Sequence, residues 1–133
     1  MPSAYNTKAE IRQTEPYVYA QFTNSIYNPH YGASRLPWLS GTASWAYYTA
    51  AQYILGVQPD YNGLRLEPCI PSGWKEIKIS RRFRNNNFNI IIKNDSRKQK
   101  GISKLIVNGE EIAGNLIPME KMKEMNEVIA VMG

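Results

Sequence analysis

The sequence predicts an α+β protein in which a helical, aromatic-rich first part is followed by an antiparallel β-sandwich, jelly-roll-like in its strand spacing. Up to Gly56 the clearest apolar pattern has helical spacing, whereas after Gly56 apolar and polar residues alternate. Turn residues such as Asn108-Gly109 separate several short strands in the second part. We therefore expect the chain to divide near Gly56.

Composition indicates a folded protein and excludes several classes. The chain has 133 residues, of which 43% are hydrophobic, enough to form a packed core. It has no apolar run of the roughly 18–20 residues that a membrane helix needs, and its first residues do not resemble a signal peptide. A single cysteine, Cys69, excludes an internal disulfide and is expected to be a small buried residue. These points favour a cytoplasmic protein without membrane contact.

Positive charge is concentrated in one segment. The net charge is +5, and residues 75–104 contain ten Lys or Arg residues and only two acids. We interpret this segment as the solvated face of a sheet. The alternative is a non-catalytic module that binds carbohydrate or a polyanion through Arg81, Arg82 and Arg84.

The first part contains short elements and a long loop. Residues 3–12 predict a short helix or an irregular lead-in, which Pro16 ends. Residues 17–22 predict a short strand or the start of a helix. Residues 24–37 are rich in Asn, Pro, Gly and Ser and predict a long ordered loop, a type of segment that is usually functional.

Residues 42–55 give the clearest helix prediction. Ser40 or Thr42 can cap its start, and Gly56 suits the position just after its end. A helix that opens on Ser-Gly-Thr presents unpaired backbone N–H groups, which can bind an anion. The alternative is that these residues only cap the helix.

The second part predicts strands joined by turns. We expect a turn at residues 60–63, the Asn108-Gly109 pair as the turn of a hairpin, and residues 85–87 as the turn between two further strands. The predicted strands lie at residues 64–66, 77–83, 88–92, 102–107, 110–112 and 128–132.

Four segments, in this order, resemble glycoside hydrolase family 94, the family of cellobiose phosphorylase and related inverting glycoside phosphorylases. They are EPYVYAQ at residues 15–21, WLSGTASW at 38–45, QYILGVQPDYNGL at 52–64 and PCIP at 68–71. The resemblance implies that residues 1–56 are the C-terminal end of an (α/α)6 barrel catalytic domain. It also implies that residues 57–133 are a C-terminal β-sandwich domain, so the chain is expected to be a C-terminal fragment of a longer enzyme.

The resemblance further implies inverting phosphorolysis, a hexosyltransferase reaction. Phosphate attacks cellobiose, or another β-linked glucoside such as a cellodextrin, to give α-glucose 1-phosphate and a sugar shortened by one unit. Phosphate is a substrate, so no cofactor and no metal are expected. The implied partners are the glucoside and phosphate, with no nucleic acid and no membrane, and the full-length enzyme is expected to be a homodimer.

The positions of the motifs indicate which residues of this chain correspond to the binding residues of the family. Gln21, Ser40, Gly41 and Thr42 correspond to part of its phosphate site, and relatives commonly have Thr where this chain has Ser40. The general acid of the family lies upstream of these motifs, so no catalytic residue is assigned here and the chain alone is expected to be inactive.

Aromatic side chains near these motifs allow two interpretations. Their flat faces can stack on sugar rings, but their spacing is more typical of a helical core. They are Tyr17, Tyr19, Trp38, Trp45, Tyr47 and Tyr48.

Overall fold

The computed structural model describes residues 9–15 and 17–133. This part of the chain divides into two compact units, one that ends at Tyr48 and one that begins at Thr49. None of the helices in the described ranges is long and apolar enough to cross a membrane. Residues 3–8 of the predicted lead-in, and Pro16, lie outside the described residues.

The first unit contains short regular elements joined by loops. These are α1 (Ala9–Arg12), β1 (Phe22–Thr23), β2 (Ser34–Arg35) and α2 (Thr42–Tyr48). Strands β1 and β2 pair antiparallel, so the predicted loop at residues 24–37 includes one short strand. The predicted strand or helix at residues 17–22 is wrong except at its last residue, because the carbonyls of Val18 and Tyr19 bond to side chains instead of to another strand.

Little of the first unit is buried. Among its described residues, Val18 and Ala33 are its only buried apolar side chains, and α2 has no buried residue. The predicted end of an (α/α)6 barrel is not seen among the described residues, which contain few helices. A helix of such a barrel is stabilised by packing against neighbouring helices. The helix α2 has no buried side chain, so the described residues show no such packing.

The second unit opens with a π-helical segment, Thr49–Ile54. The helix predicted at residues 42–55 is therefore confirmed in extent, but its hydrogen bonding changes after Tyr48. The Leu55 N–H donates to the carbonyl of Ala50 at 2.9 Å, a five-residue step that defines a π-helix.

Gly56 has a φ of 70°, as expected just after a helix. A Cβ on Gly56 would lie 2.1 Å from the Glu67 carbonyl carbon, so only glycine fits.

Two sheets follow. The first has three strands in the order β3-β4-β9, and the second has five in the order β5-β6-β10-β7-β8. A short 3-10 turn, Met119–Lys121, follows β9. The strands are β3 (Val57–Asp60), β4 (Gly63–Leu66), β5 (Glu76–Phe83), β6 (Asn86–Lys93), β7 (Lys104–Val107), β8 (Glu110–Ile112), β9 (Leu116–Pro118) and β10 (Met125–Val131).

One hydrophobic core joins both sheets, as a β-sandwich requires. Strand β6 alternates buried and less buried residues along its length, so that one face carries its apolar side chains inward. Strands β4 and β9 close the core from the other sheet. Its fully buried members include Leu64, Leu66, Phe88, Ile90, Ile92, Leu105, Ile117 and Val128. The predicted sandwich is confirmed by this packing.

Strands β6 and β10 run parallel, with Ile90 opposite Val128. The hairpin pairs and the β10–β7 pair are antiparallel, so the predicted antiparallel arrangement is confirmed for them and wrong for this pair. A parallel pair needs a long crossover, which residues 94–124 supply. Buried Asn126 fixes the start of β10, because its Nδ2 donates to the carbonyls of Asn87 and Lys123 at 3.1 and 2.6 Å.

The predicted turns are confirmed with one shift. Asn108 and Gly109 both have positive φ, 52° and 85°, as a type I′ hairpin turn requires. The turn between β5 and β6 lies at Arg84 and Asn85 instead of residues 85–87. This register faces Phe88 toward the core, and a slip by one residue would turn it outward.

Cys69 is exposed, so its predicted burial is wrong. Its neighbours Pro68 and Ile70 are both buried. Because side chains alternate along extended backbone, Cys69 faces the opposite way.

An ion pair ties the β3–β4 hairpin. Arg65 Nη2 donates to Asp60 Oδ2 at 2.8 Å. This bond, together with the Asn62 N–H, holds the pKa of the Asp60 carboxyl below its usual value of 3.8.

We expect Asp60→Asn to lower thermal stability at neutral pH and to lose this effect in acid. Because the folded-state pKa is lowered, the stabilisation is present above about pH 3.8 and disappears as the pH falls through the folded-state pKa. Melting temperatures of the wild type and the variant across this range measure the effect. Asp95→Asn, an exposed acid without an ion pair in the described structure, is the control. A difference that stays constant with pH would contradict the assignment.

Candidate functional site

The first turn of α2 offers unpaired backbone donors. The Trp45 N–H makes the first helical bond, to the carbonyl of Gly41 at 3.1 Å. The N–H groups of Thr42, Ala43 and Ser44 have no hydrogen-bond partner among the described residues. Such groups carry the positive end of the helix dipole. The corner at residues 40–42 therefore favours negative charge in front of it.

Ser40 links this corner to the segment that carries Gln21. Its hydroxyl donates to the Tyr19 carbonyl at 3.1 Å. The Gln21 N–H donates to the Arg35 carbonyl at 3.1 Å, which holds its backbone, while Gln21 itself is exposed. The structure thus ties Ser40 to a position two residues from Gln21.

The capping prediction is wrong in its details. The Ser40 hydroxyl bonds Tyr19 instead of an N–H of the helix. In the described part of the chain, Thr42 also makes no side-chain bond to the first turn of α2. The first-turn donors are therefore not used up by capping, which keeps them available for a ligand.

A buried arginine supports the Gln21 segment, and sequence reasoning missed it. Arg12 is 7% exposed. Its Nη2 donates to the carbonyls of Val18 and Glu15 at 2.7 and 3.4 Å, which fixes the loop before Gln21. Arg12 follows no periodic pattern and stands outside the four motifs, so nothing in the sequence pointed to it.

The aromatic side chains near the site are exposed. Tyr17 and Trp38 meet edge to face at 6.5 Å between ring centroids, and Trp45 and Tyr48 do so at 6.0 Å. Tyr17 is 73% exposed and Trp38 67%. Their predicted role as core residues is therefore wrong for the described structure, and the rings are available for contact. No group of three His, Cys, Asp or Glu side chains that could hold a metal lies among the described residues.

Comparisons with known proteins match both parts of the chain. The profile described as "Glycosyl hydrolase 94 superfamily, catalytic domain" matches residues 1–56. That described as "Glycosyl hydrolase family 65, C-terminal domain" matches residues 57–101. The N,N'-diacetylchitobiose phosphorylase of Vibrio proteolyticus is 36% identical over 132 residues, 99% of this chain. The chain belongs to the glycosyl hydrolase 94 superfamily.

Other glycosyl hydrolase 94 relatives carry phosphorylase names as well. The N,N'-diacetylchitobiose phosphorylase of Vibrio furnissii is 33% identical over 99% of this chain. The solabiose phosphorylase of Paenibacillus borealis is 33% identical over 90% of it. The chain spans only 16% of the length of each of these three relatives.

Proposed function

We propose that this chain is part of a phosphorylase that cleaves a β-linked glycoside with inorganic phosphate. The supporting observation is the set of unpaired N–H groups at residues 42–44, held by Ser40 beside the Gln21 segment. A site of free donors with no acidic group among Gln21, Ser40, Gly41 and Thr42 suits an anion. The curated relatives are named as phosphorylases, which favours phosphate as that anion.

The proposed site holds phosphate mainly through donors. The exposed side-chain amide of Gln21 and the backbone N–H groups that begin α2 donate to phosphate oxygens. Gly41 has no side chain between its backbone and the ligand. A Cβ there would meet only the Trp45 ring, 3.7 Å from Cδ1 and 3.9 Å from Nε1, so no other part of the described protein blocks the approach to this backbone.

Ser40 has a single proton, which limits its role. In the structure this proton goes to the Tyr19 carbonyl, so the hydroxyl oxygen can accept a bond at the same time. A singly protonated phosphate oxygen can donate to it, forming a chain of bonds from phosphate through Ser40 to Tyr19. Thr42 is proposed to contribute its backbone N–H.

The proposed reaction needs no general acid or base among these residues. A phosphate oxygen bonds to the anomeric carbon while the glycosidic bond breaks, and an acid protonates the leaving oxygen. Phosphate is already nucleophilic, so the contribution of this chain is to hold it in line for attack. We assign the acid to polypeptide upstream of this chain, so that residues 1–133 alone are inactive.

Cellobiose is the substrate that the family resemblance predicts, and the relatives add N,N'-diacetylchitobiose and solabiose to the candidates. We propose a β-linked disaccharide of this group and no cofactor. A cytoplasmic homodimer remains the expected state of the full polypeptide.

The test is a phosphorolysis assay on the full polypeptide that carries this sequence. Cellobiose, N,N'-diacetylchitobiose and solabiose are each incubated with and without phosphate, and phosphorus NMR identifies the sugar 1-phosphate and its anomer. We expect an α-anomer from one of these sugars, formed only with phosphate, and no turnover by residues 1–133 alone. Sugar release that does not need phosphate, or turnover by the 133-residue chain, would overturn the proposal.

A further inference from the structure

A second charged surface lies at one end of the sandwich, where four exposed cations and an exposed indole surround a buried asparagine. The cations come from the end of β6, the loop after it and the residue before β5. We call this surface the Asn94 corner, and it consists of Trp74, Lys75, Lys93, Arg97 and Lys98.

Asn94 holds the backbone of this corner together. Its side chain is fully buried. Its Nδ2 donates to the carbonyls of Trp74 and Lys98 at 3.1 and 2.8 Å, and its Oδ1 accepts from the Lys98 N–H at 2.8 Å. Its own N–H donates to the Lys75 carbonyl at 2.7 Å. Residues that are far apart in sequence are therefore fixed around one side chain, and the corner is preformed.

Positive charge at the corner is not neutralised. Lys75, Lys93, Arg97 and Lys98 make no side-chain hydrogen bond or ion pair among the described residues, whereas Lys78, Lys100 and Lys104 each pair with a glutamate. The acids nearby are Asp95, in the same loop, and Glu76, which lies opposite Lys93 and pairs with Lys78.

The three arginines at which the sequence suggested a polyanion contact are bonded within the protein or half-buried. Arg84 donates to the Tyr61 carbonyl, Arg82 to the side chain of Asn85, and Arg81 is half-buried. Within residues 75–104, the cations that have no such contacts lie instead around Asn94.

The aromatic content of this surface distinguishes between polyanions. Trp74 is 47% exposed, whereas Phe83 is half-buried and Phe88 fully buried. Single-stranded nucleic acids are held by a series of aromatic rings that stack on successive bases, and this surface has one. One ring beside several cations suits a sugar ring whose neighbours carry carboxylates.

We propose that the Asn94 corner is a binding site for acidic, uronate-containing oligosaccharides. Trp74 stacks on one pyranose ring, and the four cations bind the carboxylates along the oligosaccharide. This site goes beyond the proposed phosphorolysis, because it uses neither phosphate nor the residues at the start of α2.

The test is calorimetric titration of the whole chain with hexagalacturonate at about 20 and 200 mM salt. We expect saturable binding that weakens as salt rises. Lys75→Glu with Lys98→Glu, or independently Lys93→Glu with Arg97→Glu, should weaken it about tenfold or more. The matched control is Lys78→Glu with Lys123→Glu, which changes the net charge equally. Trp74→Ala should also weaken binding about tenfold. Its control is Tyr61→Ala, which removes an aromatic ring that is 88% exposed and lies beside Arg84, at the other end of β5. Circular dichroism verifies that each variant is folded.

Several outcomes would overturn this proposal. They are the absence of binding at low salt, equal weakening by the control charge reversals, equal affinity for neutral cellohexaose, and tighter binding of single-stranded RNA of the same charge. None of them bears on phosphorolysis, so the two proposals fail separately.

Discussion

Replacing Phe88 with alanine is expected to lower the free energy of unfolding by about 3–5 kcal/mol. Phe88 is fully buried and is the largest such side chain in the described structure. It lies on β6, between Arg81 of β5 and Asn126 of β10. Neither of these polar neighbours can collapse into the space that its ring would leave, so the cavity is expected to persist.

Urea denaturation followed by far-UV circular dichroism measures this effect. The control is Phe83→Ala, which removes the same ring from a half-buried position at the end of edge strand β5. Its ring has Arg84 over one face, at 5.1 Å from the centroid. We expect it to cost about 1–2 kcal/mol. Equal costs for the two variants would show that the core is not centred on Phe88.

Ser40→Ala in the full polypeptide is expected to reduce kcat/KM for phosphorolysis by about 10- to 100-fold. The substitution removes the bond to Tyr19 and the oxygen that is proposed to contact phosphate. Gln21→Ala should act in the same direction, because it removes a donor without changing the backbone bond that holds residue 21. Initial rates at varied phosphate concentration measure both effects.

Two further variants make the Ser40 prediction specific. Ser44→Ala removes an exposed hydroxyl from the same helix turn and should leave the rate within about twofold of wild type. Ser40→Thr keeps the hydroxyl and should retain most of the activity. If Ser44→Ala were as damaging as Ser40→Ala, the loss would reflect the stability of the helix instead of contact with phosphate.

The fold could be predicted where local residue patterns decide it. The Asn108-Gly109 hairpin, the alternating strands of the second part and the glycine after the helix all follow from local chemistry. Strand β3 was missed because Pro59 argues against a strand, yet β3 is an edge strand, where proline costs no ladder bond. The parallel β6–β10 pair and the π-helical turn depend on contacts distant in sequence, which no local pattern reports.

The candidate site was predicted in its composition but not in its contacts. The motifs pointed to Gln21, Ser40, Gly41 and Thr42, and these assignments stay predictions until the enzyme is assayed. The bond from Ser40 to Tyr19 joins residues that no helical or strand period relates. The burial of Arg12 likewise follows from loop packing, since an arginine at a helix end is ordinarily solvated.

The position of β10 has a consequence for how the protein is made. This strand forms the middle of the five-stranded sheet, between β6 and β7, yet it leaves the ribosome after the other four strands of that sheet. Until residue 131 has emerged, β6 and β7 each have one unpaired edge and the core lacks Val128 and Ala130. The nascent sandwich is therefore expected to need protection by chaperones until synthesis has passed β10, and to close in a single late step.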